Sequence, residues 1–371
     1  MDTFKGSYDK SLVRAARAAV DDVLAVRKNE RVLIITNPSS DSRQISEALY
    51  DAVAEVGAAP ILLFQKEKGQ FDFLENEGVK AIEANPDVVI SVSKDRLGKD
   101  RYGMMHGYKG RRRYNHIFDF LYEEKKMRTF WSPGVTIDMF ARTVPIDYTQ
   151  MRKDSTRMCK MMALAESIRV TAPGGTDLSI GIRGRKAKKD AGDFRKAGKG
   201  GNLPSGEVYI SPELGRMNGT IVWDGSIVTN DGEIVIKKPI FADIEGGYIS
   251  RIWGGSHAKE LEDSVKTGER KALEAGKKGE MKPVLAKQYA RNAWGIGELG
   301  IGLNRKARIV ANMLEDEKVY GTCHFAIGSN YDGDQEAMIH LDGLVKSPTI
   351  TGIRKNGVEL PIMVDGKLCW K

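Results

Sequence analysis

The sequence predicts an α/β protein in two parts. A doubly wound N-terminal α/β domain covers residues 1–165, and a β-rich α+β metal-binding domain covers residues 166–371. Three observations predict this. The length of 371 residues exceeds one typical domain and fits two. The first half alternates short apolar runs with amphipathic stretches, the grammar of βαβ units and a parallel sheet. Glycine is unevenly shared, with 9 in residues 1–165 and 31 in residues 166–371. Tight turns, bulges and close backbone approaches need glycine far more than helices do, so the second half reads as β-rich.

Residues 31–36 (RVLIIT) are a continuous apolar run bounded by turn residues, as a buried parallel strand should be. Ile45, Ala48, Leu49, Ala52, Val53 and Val56 follow at helical spacing, and Gly57 is placed to end that helix. Residues 60–64 and 87–92 are the next strands, 128–131 a weaker one, and 149–167 a Met-rich helix closing the domain. In the second half, strands are expected at 168–172, 177–182, 220–223, 233–236, 250–253, 319–327 and 340–345. Helices are expected at 257–277 and 304–316. Residues 183–201 carry eight basic and two acidic residues, which predicts a long solvated loop.

Composition excludes several functions. Lys plus Arg exceeds Asp plus Glu by 58 − 50 = 8, but each half carries +4 (27 against 23, then 31 against 27). No basic domain or tail exists, so a nucleic-acid partner is not expected. Cys159, Cys323 and Cys369 cannot all pair and form no CxxC, which excludes a disulfide scaffold and a cysteine zinc site. No apolar h-region opens the chain and no apolar run approaches 18 residues, so a cytoplasmic protein with no membrane partner is expected. Gly295-Ile-Gly-Glu-Leu-Gly300 matches GxGxxG literally. A polar helix-like segment precedes it instead of a strand, so it does not read as a dinucleotide site. GxxxxGK[ST], HExxH and GxSxG are all absent.

The histidines carry the surviving signal. His340 and Asp342 are two apart, so in a strand they project from one face and can grip one cation. His324 lies on an apolar run, expected as an adjacent strand. Glu207 and Glu298 are glycine-flanked acids among apolar residues. Burying such a carboxylate calls for a counter-charge, and a metal supplies one. Imidazole and carboxylate together suit Zn, Co, Mn or Fe(II). His106, His116 and His257 read as surface or cap positions.

The motif Gly201-Asn-Leu-Pro-Ser-Gly-Glu-Val208, followed by Ser211-Pro212, resembles a signature of the M29 aminopeptidases. Gly175-Thr-Asp-Leu178, Gly297-Glu298, Gly321-Thr-Cys-His324, Gly328-Ser-Asn-Tyr331 and His340-Leu-Asp342 follow that family's order over residues 160–345. The resemblance implies a two-metal site (Zn, Co or Mn) with Glu207, Glu298, His324, His340 and Asp342 as ligands. It makes Glu298 the base carboxylate and Tyr331 the catalytic tyrosine. It further implies an aminopeptidase-type hydrolase acting on a small peptide or related small molecule, working as a homodimer. The same superfamily holds a mononuclear Fe(II) enzyme that opens a dihydroxypyridine ring. The alternative reading is therefore an Fe(II) ring-cleaving dioxygenase. The HxD pair is shared with that branch, whereas Glu298 stands where its other histidine is expected.

Overall fold

The computed structural model describes residues 3, 4, 6, 8–67, 74–94, 106–115 and 117–370. The chain divides into two compact units, Met1–Arg152 with Asp190–Ser205, and Lys153–Lys189 with Gly206–Lys371.

In the first unit, strands β1 (Arg31–Thr36), β2 (Ala59–Phe64), β3 (Val88–Ser93) and β6 (Arg128–Pro133) are joined by β10 (Gly200–Asn202). They form a parallel sheet in the order β10-β6-β3-β1-β2. A two-residue-strand hairpin, β4 (Tyr108–Lys109) and β5 (Arg113–Tyr114), stands apart from it. Helices α1 (Lys10–Ala18), α2 (Ser40–Glu55), α3 (Asn76–Glu83) and α4 (Ile137–Thr143) complete the α/β pattern. The stripe Ile45, Ala48, Leu49, Ala52 and Val53 is the buried face of α2. Gly57, at φ 81°, lies just past its end, a conformation that suits glycine.

The second unit is a sandwich of two largely antiparallel sheets. Strands β7 (Ser167–Thr171), β8 (Asp177–Gly181), β12 (Met217–Trp223), β15 (Ile240–Glu245), β16 (Tyr248–Gly254), β20 (Thr349–Ile353), β21 (Glu359–Val364) and β22 (Lys367–Leu368) form one. Its order is β16-β15-β12-β8-β7-β20-β21-β22. The other contains β9 (Lys188–Asp190), β11 (Glu207–Ile210), β13 (Ser226–Thr229), β14 (Gly232–Val235), β17 (Ile296–Gly302), β18 (Thr322–Gly328) and β19 (His340–Lys346). Its order is β14-β13-β19-β18-β17-β11-β9. One buried apolar cluster joins them, with Ile168, Val170, Leu178, Ile180, Ile221 and Trp223 from the first sheet. Val208, Ile210, Leu299, Ile301, Phe325 and Ile327 come from the second. Helices α6 (His257–Lys277) and α7 (Pro283–Asn292) touch each other, α6 also packs on β13, β15 and β16, and α5 (Tyr148–Ala163) leads into the same unit.

Four expectations need correction. The boundary is not at residue 165. Met158 and Met162 of α5 are buried in the second unit's core, while residues 190–205 belong to the first unit through the parallel pairing of β10 with β6. Helix α5 ends at Ala163, because β7 begins at Ser167. The stretch 304–316 is helical only in α8 (Met313–Asp316). The buried side chains of Glu315 and Asp316 instead accept from the backbone N–H groups of Arg308, Val310 and Ala311, and Ala311 sits at φ 57°. Side-chain acceptors that engage nearby backbone donors compete with helix formation. Lastly, 183–201 is not one solvated loop: it contains β9 and β10, and Asp190, Ala191 and Phe194 are buried.

Among the described residues, no helix is long and apolar enough to cross a membrane.

Candidate metal centre

Strands alternate their side chains between faces. In β11, β17, β18 and β19, Val208, Ile210, Leu299, Ile301, Cys323, Phe325, Ile327, Leu341 and Val345 enter the sandwich core. The opposite face therefore carries Glu207, Glu298, His324, His340 and Asp342. These strands are consecutive neighbours in the sheet, so five residues far apart in sequence become neighbours in space. The glycine-rich stretch Gly295–Gly300, rejected above as a dinucleotide site, is mostly β17, all of it buried. That places Glu298 in the middle of the sheet.

The register gives the site its room. Glu207 lies across from Gly302, His324 from Gly300, His340 from Gly328, and both Glu298 and Asp342 from Ala326. Each functional side chain faces a residue with little or no side chain. Gly300 is the extreme case: a Cβ there would lie 1.9 Å from His324 Nε2. The imidazole occupies the space that any other residue at 300 would fill.

Two triads result, Glu207 with Glu317 and His324, and Glu298 with His340 and Asp342, buried except for the half-buried Glu317 and His340. Within each, the donor atoms all lie within 4.8 Å of one another. His324 Nε2 joins the triads, 3.6 Å from Glu207 Oε2 and 3.4 Å from Glu298 Oε1. His340 Nε2 is 3.6 Å from Glu298 Oε2 and 3.5 Å from Asp342 Oδ1. These spacings exceed a well-made hydrogen bond. They are close to the separation of roughly 3.0–3.4 Å expected of two donors sharing one cation at bond lengths of about 2.1 Å.

The donor set fits a divalent metal. Glu207 Oε2, Glu298 Oε2 and His324 Nδ1 are buried with no hydrogen-bond partner among the described residues. Such atoms are costly in a folded interior unless something else engages them. Nitrogen and oxygen donors of this kind suit Zn, Mn, Co or Fe(II). His340 Nδ1 lies 2.9 Å from the Ser329 carbonyl oxygen. A donated bond there would fix the ring and present Nε2 to the cation.

Glu317 and Lys318 were not among the expected site residues. Both follow α8, in an acidic run that reads from sequence as the end of a helix, so periodicity gave no hint. Lys318 is fully buried. Its Nζ donates to Glu207 Oε1 at 2.7 Å and to Glu317 Oε1. Burial pushes the pKa of Glu207, Glu298 and Glu317 up, against the pull of Lys318 on Glu207 and Glu317 and of His324 on Glu298. Burial alone would lower both imidazoles. The facing carboxylates outweigh it, lifting His324 (chiefly by Glu298) and His340 (chiefly by Asp342) to about 9.

Tyr331 sits at the rim, 52% exposed. Its ring meets those of His340 and Tyr209 edge-on, at 5.3 Å and 5.1 Å. The loop that carries it is held from one side by the basic segment. Arg185 pairs with Asp332 and Asp334, and Lys188 pairs with Asp332 and donates to the Tyr331 carbonyl at 2.6 Å. His106 is exposed and His257 opens α6, neither is a member of a triad, and His116 lies outside the described residues.

The 2,5-dihydroxypyridine 5,6-dioxygenase of Pseudomonas putida is 23% identical over 218 residues. That match spans 55% of each chain, about half the length of this curated relative. The solved structure of a 2,5-dihydroxypyridine dioxygenase from the same organism aligns with a TM-score of 0.68 at 17% identity, covering 97% of both chains. The structure of AmpT from Thermus thermophilus aligns with a TM-score of 0.65 at 15% identity, covering 97% of this chain and 99% of that one. Both likenesses are of fold. The aminopeptidase family of the sequence resemblance is not favoured by these likenesses. The family model described as NicX, 2,5-dihydroxypyridine 5,6-dioxygenase, matches residues 14–351. With that match running through nearly the whole chain, the protein belongs to the 2,5-dihydroxypyridine 5,6-dioxygenase family.

Proposed function

We propose that the protein is a metal-dependent hydrolase that cleaves an N-terminal residue from a small peptide, or a related amide. In this reading Glu207, Glu317 and His324 hold one divalent cation, and Glu298, His340 and Asp342 hold a second. The observation that carries it is the donor count: four carboxylates and two imidazoles in two largely buried triads that meet at His324 and Glu298. A single Fe(II) of the facial-triad type uses two imidazoles and one carboxylate. That would leave three carboxylates of the two triads outside the iron's ligand set, two of them paired with Lys318 if Glu298 or Asp342 were the ligand.

Bound divalent ions would supply Lewis acidity toward the scissile carbonyl and lower the pKa of water. Glu298 is the proton carrier. Burial raises its pKa, and Oε2 has no other hydrogen-bond partner among the described residues. A carboxylate so placed can take a proton from water and return it to the leaving amine. The Tyr331 hydroxyl, at the rim beside His340, donates to the oxyanion that develops on the carbonyl. His340 is kept in orientation by the Ser329 carbonyl.

The second reading is oxygen-dependent ring opening at one cation. It is favoured by the family match and by Lys318, whose ammonium already neutralises part of one triad. Parallel assays decide between them. Protein loaded with Zn, Co or Mn is assayed for amino acid release from aminoacyl 4-nitroanilides and dipeptides. Fe(II)-loaded protein is assayed for oxygen uptake with 2,5-dihydroxypyridine. Release without oxygen uptake is expected. Oxygen uptake with no hydrolysis on any metal would replace the first reading with the second.

A further inference from the structure

We infer that Arg185 and Lys188 are positioning residues that clamp the Tyr331 loop over the metal-site face of the sheet. The inference rests on the role given above to the Tyr331 hydroxyl. Tyr209 follows Glu207 by two in β11, so both rise from the same face. The Tyr331 ring meets Tyr209 on one side and His340 of β19 on the other. Strands β17 and β18 lie between β11 and β19, and they carry Glu298 and His324. The ring therefore reaches across the face on which the two triads stand. Half open to solvent, it gains little from burial to hold it there.

The two basic side chains hold the loop instead. Arg185 Nη1 lies 2.8 Å from Asp334 Oδ2 and 3.5 Å from Asp332 Oδ2. Lys188 Nζ lies 2.9 Å from Asp332 Oδ1 and donates to the Tyr331 carbonyl at 2.6 Å. These ties run on into the loop. The other oxygen of Asp334 accepts from Asn330 Nδ2 at 2.6 Å. Asn330 Oδ1 in turn accepts from the N–H groups of Gly333 at 3.0 Å and Gln335 at 3.3 Å. Isolated surface ion pairs contribute little, whereas a network of several charges counts for more. The Arg185 side chain is 13% exposed and that of Asp332 23%, so solvent screens this network less than an open pair. Releasing it would free the tyrosine to shift by about 1 Å, and a misplacement of that size costs about 10²-fold in rate.

Two readouts test it on Arg185→Met, Lys188→Met and the double variant. The first is amide hydrogen exchange at Gly333 and Gln335 in the protein as purified. Exchange should quicken about 10-fold in the double variant. The second is hydrolysis of the aminoacyl 4-nitroanilide that the wild type turns over best, at matched metal content. There kcat should fall about 10- to 100-fold while KM moves less than about 2-fold. On a Tyr331→Phe background the same substitutions should change kcat less than about 2-fold, because the hydroxyl they position is gone. Arg185→Lys should recover most of the rate, since the single nitrogen Nη1 meets both carboxylates and an ammonium can stand in its place. If Arg185→Met does not fold, the more exposed Lys188→Met carries both measurements. Unchanged exchange in the double variant would overturn the inference. So would a fall in kcat as large on the Tyr331→Phe background as in the wild type. A wild type that hydrolyses no aminoacyl 4-nitroanilide with Zn, Co or Mn would remove the hydrolase reading alone. The clamp would then stand on quickened exchange or fall on unchanged exchange.

Discussion

Gly300 has no side chain, and His324 uses the space. With a Cβ at 300 placed 1.9 Å from Nε2, the Gly300→Ala variant must push the imidazole aside. Its strand φ is ordinary, so the damage falls on the site and not on the backbone. Cation binding should weaken at least 10-fold while far-UV circular dichroism stays unchanged, and a titration at wild-type affinity would show that His324 is no ligand. Glu298 belongs to the same scale. Replacing it by Gln keeps the shape but removes the proton carrier and one charged cation donor together, so at matched metal content kcat should fall by about 10²–10⁴ with the fold retained. Wild-type turnover in that variant would remove Glu298 from proton transfer. Tyr331→Phe should lower kcat while KM hardly moves, because the hydroxyl is assigned to the developing oxyanion and not to ground-state binding. A change confined to KM would turn Tyr331 into a substrate contact.

At the scale of elements, α8 and the turn before it bring Glu317 and Lys318 to the sheet. Asp316 holds that turn, accepting from the N–H groups of Val310 (2.8 Å) and Ala311 (3.0 Å) and from the Ser226 hydroxyl. Asp316→Ala leaves the buried Ser226 hydroxyl and the two backbone N–H groups without their acceptor and should cost about 1–3 kcal/mol. Urea unfolding measures it, and a loss below about 0.5 kcal/mol would mean that the turn is held by something else. This turn also marks where sequence reasoning stopped. Strands β1, β18 and β19 were legible because a period-two or continuous apolar pattern outlines them. That legibility extended to His340 and Asp342 sharing a face. β17 was hidden because four of its residues are Gly or Glu, which read as a turn. Only pairing on both sides, with β11 and β18, makes such a sequence a strand. Residues 304–312 were mistaken for helix because carboxylate capping of backbone N–H groups leaves no periodic trace. Glu317 and Lys318 were lost with them.

At the scale of the whole molecule, folding, protonation and cation binding act on one set of groups. In the metal-free protein, His324 and His340 titrate at about 9 against an ordinary 6.5. A raised folded pKa contributes stability that is complete below the unfolded value and is lost as pH climbs through the folded one. The two histidines therefore stabilise the metal-free protein up to about pH 6.5 and stop doing so as pH passes 9. Glu207 and Glu298 act in the same direction, since burial raises them above 4.5 and their ionisation is disfavoured in the fold. The cation has the opposite dependence, because it binds carboxylates and neutral imidazoles and displaces protons on the way in. Saturation at about 100 times Kd adds about 2.7 kcal/mol to the folded state, and Kd itself tightens as the protons leave. The difference in melting temperature between metal-loaded and metal-free protein should therefore widen steadily from pH 6 to pH 9. Calorimetric titration near pH 7, repeated in buffers of different ionisation heat, should register proton release on binding. A difference in melting temperature that stays flat or narrows over that range would mean that the imidazoles and carboxylates of the two triads are not what the cation binds.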